Sequence, residues 1–141
     1  MTDAPGWATE LMNRVLEDEG CDSVGVTLTW RRSSQRWGTV TYSSGRTHPI
    51  EQRIIVTAGK DRRDQKLVLL HELAHVIGPP KASHDAQFWD TAWRFYDKYG
   101  VPFRYAIDRE ASYRAESVKA ARRAGHRVSE QKERAAARTR R

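Results

Sequence analysis

The chain has 141 residues, of which 38% are hydrophobic and 30% charged, and its formal net charge at pH 7 is +7. One cysteine, Cys21, excludes an internal disulfide and is typical of a reducing compartment. No run approaches the roughly 18 apolar residues of a membrane-spanning helix, and the first residues lack the apolar stretch of a signal peptide. We therefore expect a cytoplasmic monomer that does not bind membranes.

The positive charge is concentrated toward the C-terminus. Residues 109–141 carry 11 Lys and Arg but only 4 Asp and Glu, which accounts for the entire excess of +7. This asymmetry predicts a domain at 1–108 and a basic tail at 109–141, helical at first and then disordered. DNA is the first candidate partner of the tail, and an acidic protein or solvent alone is the alternative. The candidate nucleic-acid contacts are Arg122, Arg123, Arg127, Lys132 and Arg134.

The first predicted element is a helix over residues 3–19. Trp7, Leu11 and Val15 recur every four residues and form one apolar stripe, which indicates a helix packed on one face. Asp3 is suitably placed to cap its start.

Alternating apolar and polar residues predict the strands that follow. Residues 24–30 alternate with period two and predict the first strand. Residues 37–42 predict a second strand, which the connection at 33–35 joins to the first as a hairpin, and residues 54–57 predict a third strand. A turn is expected at 43–45, and His48 is expected in a loop. These elements indicate a small antiparallel sheet of about three strands.

The most apolar stretch, residues 67–77, predicts a buried helix whose start is stabilised by the acids of segment 61–64. It contains the sequence His-Glu-Leu-Ala-His. His71 and His75 are four residues apart and lie on one helix face, where both can bind one metal ion. Glu72 is rotated about 100° from His71, beside the ion rather than on it, where a general base is needed.

A catalytic zinc site needs a third protein ligand and leaves its fourth position for water. Gly78-Pro79-Pro80 ends the helix and allows the chain to return with His84 at the start of the next helix, predicted from Ser83 to about Tyr99. The alternative for His71 and His75 is that the buried helix, called here the metal helix, holds them as hydrogen-bonded core histidines without a metal. Farther along, a helix is predicted from about residue 106 to 124.

The pattern around these residues resembles that of the SprT-like and YgjP-like zinc metallopeptidases of the zincin superfamily. The resemblance rests on the basic and aromatic segment Arg31–Gly45, the strand segment Arg53–Gly59, the motif at 71–75, and His84 followed by Phe88-Trp89. It covers roughly residues 24–96. The chain departs from the pattern at Asp85, where many members have glycine, and one cysteine cannot form the zinc ribbon that members often carry.

The resemblance implies an α+β, zincin-like minimal metallopeptidase whose small antiparallel sheet packs on the N-terminal helix and the metal helix. It also implies one zinc per chain at His71, His75 and His84, with Glu72 as catalytic acid and base. An edge strand would pair with the peptide substrate, and Tyr96, Tyr99 or Tyr105 would be candidates to stabilise the oxyanion.

The expected function is therefore zinc-dependent hydrolysis of peptide bonds in which Glu72 activates a zinc-bound water. Some members of the family degrade proteins on DNA, so the basic tail suggests DNA-associated substrates. One alternative is a DNA-binding or regulatory protein with a non-catalytic zincin core. Another is a repressor-cleaving peptidase in which Asp85 or Asp90 is an acidic third ligand.

Overall fold

The computed structural model describes residues 4–21, 25–32, 42–48, 50–77, 84–111 and 115–128. Within these ranges the fold is α+β, with five helices and a three-stranded mixed sheet. The elements are α1 (Gly6–Asp18), β1 (Thr27–Arg32), β2 (Ser44–His48), β3 (Arg53–Ala58), α2 (Arg62–Ile77), α3 (Ala86–Tyr99), α4 (Phe103–Ala111) and α5 (Ala115–Arg123). No helix of the described ranges is long and apolar enough to cross a bilayer.

The chain divides into two compact units, residues 1–82 and 83–141. The first unit holds α1, the sheet and α2, and the second holds α3, α4 and α5. Helix α4 crosses the predicted domain boundary after residue 108, and that boundary stays a prediction.

The sheet of the first unit has the order β1-β3-β2, so β3 is the central strand. β1 runs parallel to β3, with Thr27 opposite Arg53, whereas β2 is antiparallel to it, with Ser44 opposite Thr57. The predicted all-antiparallel sheet is therefore wrong, because β1 and β3 are parallel. Most of the predicted hairpin partner of β1, residues 37–41, lies outside the described residues. Period-two alternation identifies the two faces of a strand but carries no information about its direction or partner.

The second strand also differs from the prediction. β2 spans 44–48, where a turn and a loop were expected, and His48 is its last residue. Of the predicted strand 37–42, residues 37–41 lie outside the described ranges and Tyr42 precedes β2. Serine and glycine are typical turn residues, but here pairing with β3 and packing against α2 outweigh local preference.

The middle of helix α2 is buried on all sides, as its sequence predicts. The helix contacts α1, β2 and β3, and a continuous run from Leu67 to His75 is buried.

At the start of α1, Trp7 packs edge-to-face on Trp30 of β1 with ring centroids 5.8 Å apart. Pro5 occupies the N-cap position of α1, and the predicted cap, Asp3, lies outside the described residues.

The second unit has an aromatic core on α3. Trp89, Trp93, Phe95 and Tyr96 are fully buried, and the indole Nε1 of Trp93 donates a 2.9 Å hydrogen bond to the Ser117 carbonyl of α5. Gly100 ends α3 in the left-handed conformation with φ 87°, as predicted. The helix expected from 106 to 124 is instead described as two helices, α4 and α5.

Candidate metal centre

His71 and His75 occupy one face of α2, as their four-residue spacing requires. Their ring centroids are 5.4 Å apart, and the residues are only 8% and 7% exposed. A buried imidazole needs a partner for its nitrogens because desolvation without one is costly. Two such rings on one face form the geometry in which a helix presents a pair of nitrogen ligands to a single metal ion.

Glu72 lies between this pair and strand β2. Its carboxylate is buried, and Oε1 accepts a 2.6 Å hydrogen bond from the Thr47 hydroxyl. The other oxygen, Oε2, is 4.0 Å from Nε2 of His71. The two oxygens therefore have different surroundings: Oε1 is hydrogen-bonded to the strand, and Oε2 lies beside Nε2 of His71.

Gly45 makes the close approach of β2 to Glu72 possible. A Cβ atom at this position would lie 2.7 Å from Cγ of Glu72, 2.8 Å from its Oε2 and 2.8 Å from Cγ1 of Val68. Such distances are well inside van der Waals contact between carbons. Gly45 and Thr47 are two residues apart, so both face α2, and together they form a cradle for the Glu72 side chain.

The start of β2 is tied to the first turn of α2. The carboxylate of Asp64, which is fully buried, accepts a hydrogen bond from the backbone amide of Ser43. The Ser43 hydroxyl in turn accepts a 2.7 Å hydrogen bond from the amide of Gly59, and Gln65 Nε2 donates to the Gly59 carbonyl at 2.6 Å. These bonds fix β2 and the end of β3 relative to the helix that carries the candidate ligands.

The two acids at the start of α2 therefore have different roles. Asp61 stabilises the helix start, as predicted, because its Oδ1 accepts a 2.8 Å hydrogen bond from the Arg63 amide. Its pKa is lowered, chiefly by the hydrogen bond from the Arg63 side chain. Asp64 instead makes a tertiary contact, because its carboxylate accepts a hydrogen bond from the amide of Ser43, the residue before β2.

His84 belongs to the second unit and directly precedes Asp85, the N-cap of α3. Its ring packs on Phe88 and Trp89, with centroids 4.9 and 5.7 Å away.

The two acids predicted as alternative third ligands, Asp85 and Asp90, both have partners within the protein. Asp85 Oδ1 accepts a 2.9 Å hydrogen bond from the Phe88 amide, and Asp90 Oδ1 pairs with Arg123 Nε at 2.9 Å. The predicted cap, Ser83, is outside the described residues.

The candidate oxyanion tyrosines include one with a defined partner. The Tyr96 hydroxyl donates a 2.6 Å hydrogen bond to Glu110 Oε2, and both residues are buried. Tyr96 is thus part of the core of the second unit. Tyr99 packs its ring against Phe95, with centroids 6.0 Å apart, and Tyr105 is half-buried.

The candidate nucleic-acid residues are only partly described. Arg122 Nη2 donates to the Val128 carbonyl at 2.8 Å, and Arg123 is the partner of Asp90. Arg127 is exposed, whereas Lys132 and Arg134 lie outside the described residues. Both helical arginines make contacts within the second unit, so they are not simply side chains of a solvated tail.

Sequence reasoning missed Gly45 and Thr47. Both residues lie in a segment whose composition is typical of a turn. Thr47 is 25 residues before Glu72, and no periodicity links either residue to the motif.

Comparison with known proteins adds no further assignment: no protein-family model, curated protein or solved structure matches the chain.

Proposed function

We propose that the protein is a zinc-dependent peptidase in which His71, His75 and His84 hold one zinc ion and Glu72 is the general base. The observation that carries this proposal is the buried Glu72 carboxylate, held by Thr47 on one side and adjacent to His71 on the other. The choice of ligands is supported by the buried pair His71 and His75 on one face of α2 and by the position of His84 nine residues farther along the sequence.

The donor set fits zinc. Three imidazole nitrogens are ligands that zinc accepts in catalytic sites, and they leave one coordination position for water or substrate. Neutral imidazoles also leave the ion its full positive charge. When bound, zinc lowers the pKa of water to about 7 and polarises a carbonyl group as a Lewis acid.

The two carboxylate oxygens of Glu72 have different roles in the proposed base catalysis. Oε1 accepts the Thr47 hydrogen bond, which stabilises negative charge on that oxygen and fixes the carboxylate plane. Oε2, beside His71 Nε2, is the atom that accepts a proton from the attacking water. The same oxygen returns the proton to the leaving amine, as general acid–base catalysis of peptide hydrolysis requires.

Strand β2 is the natural place for an extended substrate. It is the last strand in the order of the described sheet, and its residues Gly45 and Thr47 contact the catalytic glutamate. A peptide added alongside an edge strand gains main-chain hydrogen bonds with little demand on its sequence. The proposal therefore includes β2 as the strand along which the scissile bond is presented to Glu72.

Metal analysis combined with hydrolysis of an unfolded protein such as reduced casein tests this proposal. We expect about one zinc per chain in the wild type, the same content with no hydrolysis in Glu72→Gln, and reduced content in His84→Ala. Glu51→Gln, at an exposed site, is the matched control and should remain active. Full activity of Glu72→Gln would refute the base, and unchanged zinc content in His84→Ala would refute the third ligand.

A further inference from the structure

A second candidate site lies in the first unit, where α1 passes the start of α2. The two helices border a cleft of about 310 Å³, within the lower part of the roughly 300–1,000 Å³ range of small-molecule sites. It is lined by Trp7, Glu10, Leu11, Arg14, Arg62 and Lys66. None of these residues belongs to the metal centre or to the basic C-terminal segment.

The cleft concentrates positive charge from two separate helices. Arg14 comes from α1, while Arg62 and Lys66 come from α2, and among the described residues Glu10 is the one acid that lines the cleft with them. Within the described part of the chain, Arg62 and Lys66 form no ion pair with a carboxylate. Their charges are therefore not neutralised there by the protein itself.

Arg62 is held in place by an aromatic ring rather than by an anion. Its guanidinium carbon lies 4.7 Å from the centroid of the Trp7 ring, and Trp7 is in turn packed edge-to-face on Trp30. A cation–π contact orients the guanidinium and preserves its charge and its hydrogen-bond donors. Arg62 is also the first residue of α2, where the positive end of the helix dipole adds to the field.

The ionisation of Lys66 is affected by its burial and by the two arginines of the cleft. Its pKa is lowered, first by burial and then by the positive charges of Arg62 and Arg14. Holding a partly buried ammonium beside two guanidinium groups costs free energy in the absence of a counter-charge. An anion in the cleft would remove this cost, and the positively charged state of Lys66 would then be favoured.

We propose that this cleft binds a phosphate group. The chemistry matches because arginine offers planar, paired donors to phosphate and lysine adds a point charge. Trp7 lies in the same cleft and holds the Arg62 guanidinium against its ring. Two sources share this chemistry, a nucleic-acid strand and a free phosphate-bearing small molecule. The site is independent of the proposed peptidase activity.

Titration of the full-length protein with inorganic phosphate tests the site directly. The indole N–H resonance of Trp7, assigned with Trp7→Phe, should move in a saturable way when sodium phosphate replaces sodium chloride at constant ionic strength. The indole resonances of Trp89 and Trp93, buried in the second unit, should not move. No saturable change at Trp7 beyond that seen with chloride would overturn the proposal.

Two variants make the test specific to the cleft. Lys66→Gln should weaken phosphate binding about tenfold. Arg53→Gln removes a cation of the same unit that already has a partner, Glu51 at 3.8 Å, and should leave binding unchanged. Equal weakening by both variants would indicate a general effect of net charge and would overturn the assignment to this cleft.

A single-stranded oligonucleotide distinguishes the two sources of phosphate. If a strand is the ligand, it should shift the same Trp7 resonance at far lower concentration than inorganic phosphate and lose affinity steeply with salt. If a small molecule is the ligand, the oligonucleotide should bind no more tightly per phosphate than the free ion. Either result supports a phosphate site, whereas binding of the oligonucleotide that leaves Trp7 unshifted contradicts a nucleic-acid strand as its ligand.

Discussion

Thr47 of strand β2 donates a 2.6 Å hydrogen bond to Oε1 of Glu72 in helix α2. The bond joins the catalytic base of the proposed peptidase to the strand proposed to hold its substrate. The alignment of the peptide and the orientation of the base are therefore coupled through one side chain. A positioning residue of this kind should affect turnover more than substrate affinity.

Removing the Thr47 hydroxyl should lower kcat. In Thr47→Val, the carboxylate of Glu72 loses the Thr47 hydrogen bond that fixes its plane, and kcat should fall about 10- to 100-fold, the range typical when a hydrogen-bond partner around a metal site is lost. KM should change little because β2 still presents its backbone to the peptide. The measurement is steady-state hydrolysis of a fluorogenic peptide.

Thr47→Ser is the control for this prediction because it keeps the hydroxyl and removes only the methyl group, whereas Thr47→Val keeps the branched shape and removes the hydroxyl. Its kcat should recover most of the wild-type value, with zinc content equal in all three proteins. A Thr47→Ser variant as slow as Thr47→Val would show that packing, rather than the hydrogen bond to Glu72, explains the effect.

Gly45→Ala should destabilise the protein and impair the base. The added methyl group would lie 2.7–2.8 Å from Glu72 and Val68, so β2 or α2 must shift, and overpacking of this kind costs about 1–3 kcal/mol. The free energy of unfolding, measured in urea, provides the test. Gly6→Ala is the control because its methyl group would meet nothing within 4 Å, and it should be neutral or stabilising.

Asp61→Ala should cost about 1 kcal/mol at pH 7 through loss of the helix cap. The pKa of Asp61 is lowered from its ordinary value of 3.8, chiefly by its side-chain hydrogen bond with Arg63. A carboxylate with a lowered folded-state pKa contributes stability that is full above the ordinary value and is lost as pH falls through the folded value. The difference between wild type and variant should therefore shrink below pH 3.8, and a constant difference would contradict this account.

Lys66→Gln should stabilise the unliganded protein at neutral pH by a few tenths of a kcal/mol, the size of a like-charge contact on a helix surface. The lowered pKa of Lys66 reflects burial and then Arg62 and Arg14, so the charged form is disfavoured in the folded state. The penalty is full below the folded pKa, declines as pH rises through it, and vanishes above the ordinary value of 10.5. Urea unfolding of both proteins at pH 7 and at high pH measures this trend.

Helix geometry made the core of the candidate site predictable from sequence. His71 and His75 must share a face once α2 forms, because that relation depends only on the residues per turn. The burial of α2 also followed from its sequence, since six of the nine residues from Leu67 to His75 are apolar. Gly100 was predictable as the end of α3 because its backbone conformation favours a residue without a side chain.

Tertiary structure alone decided what surrounds that helix. The sequence of β2 is typical of a turn. The segment forms a strand because it pairs with β3 and because Asp64 accepts a hydrogen bond from Ser43, the residue before it. Thr47 and Glu72 are 25 residues apart, so no local pattern brings them together. The approach of Arg14 on α1 to Arg62 and Lys66 on α2 likewise depends on how two helices pack. Contacts within a helix are set by its repeat, whereas contacts between elements depend on a register and a direction that hydrophobic periodicity does not encode.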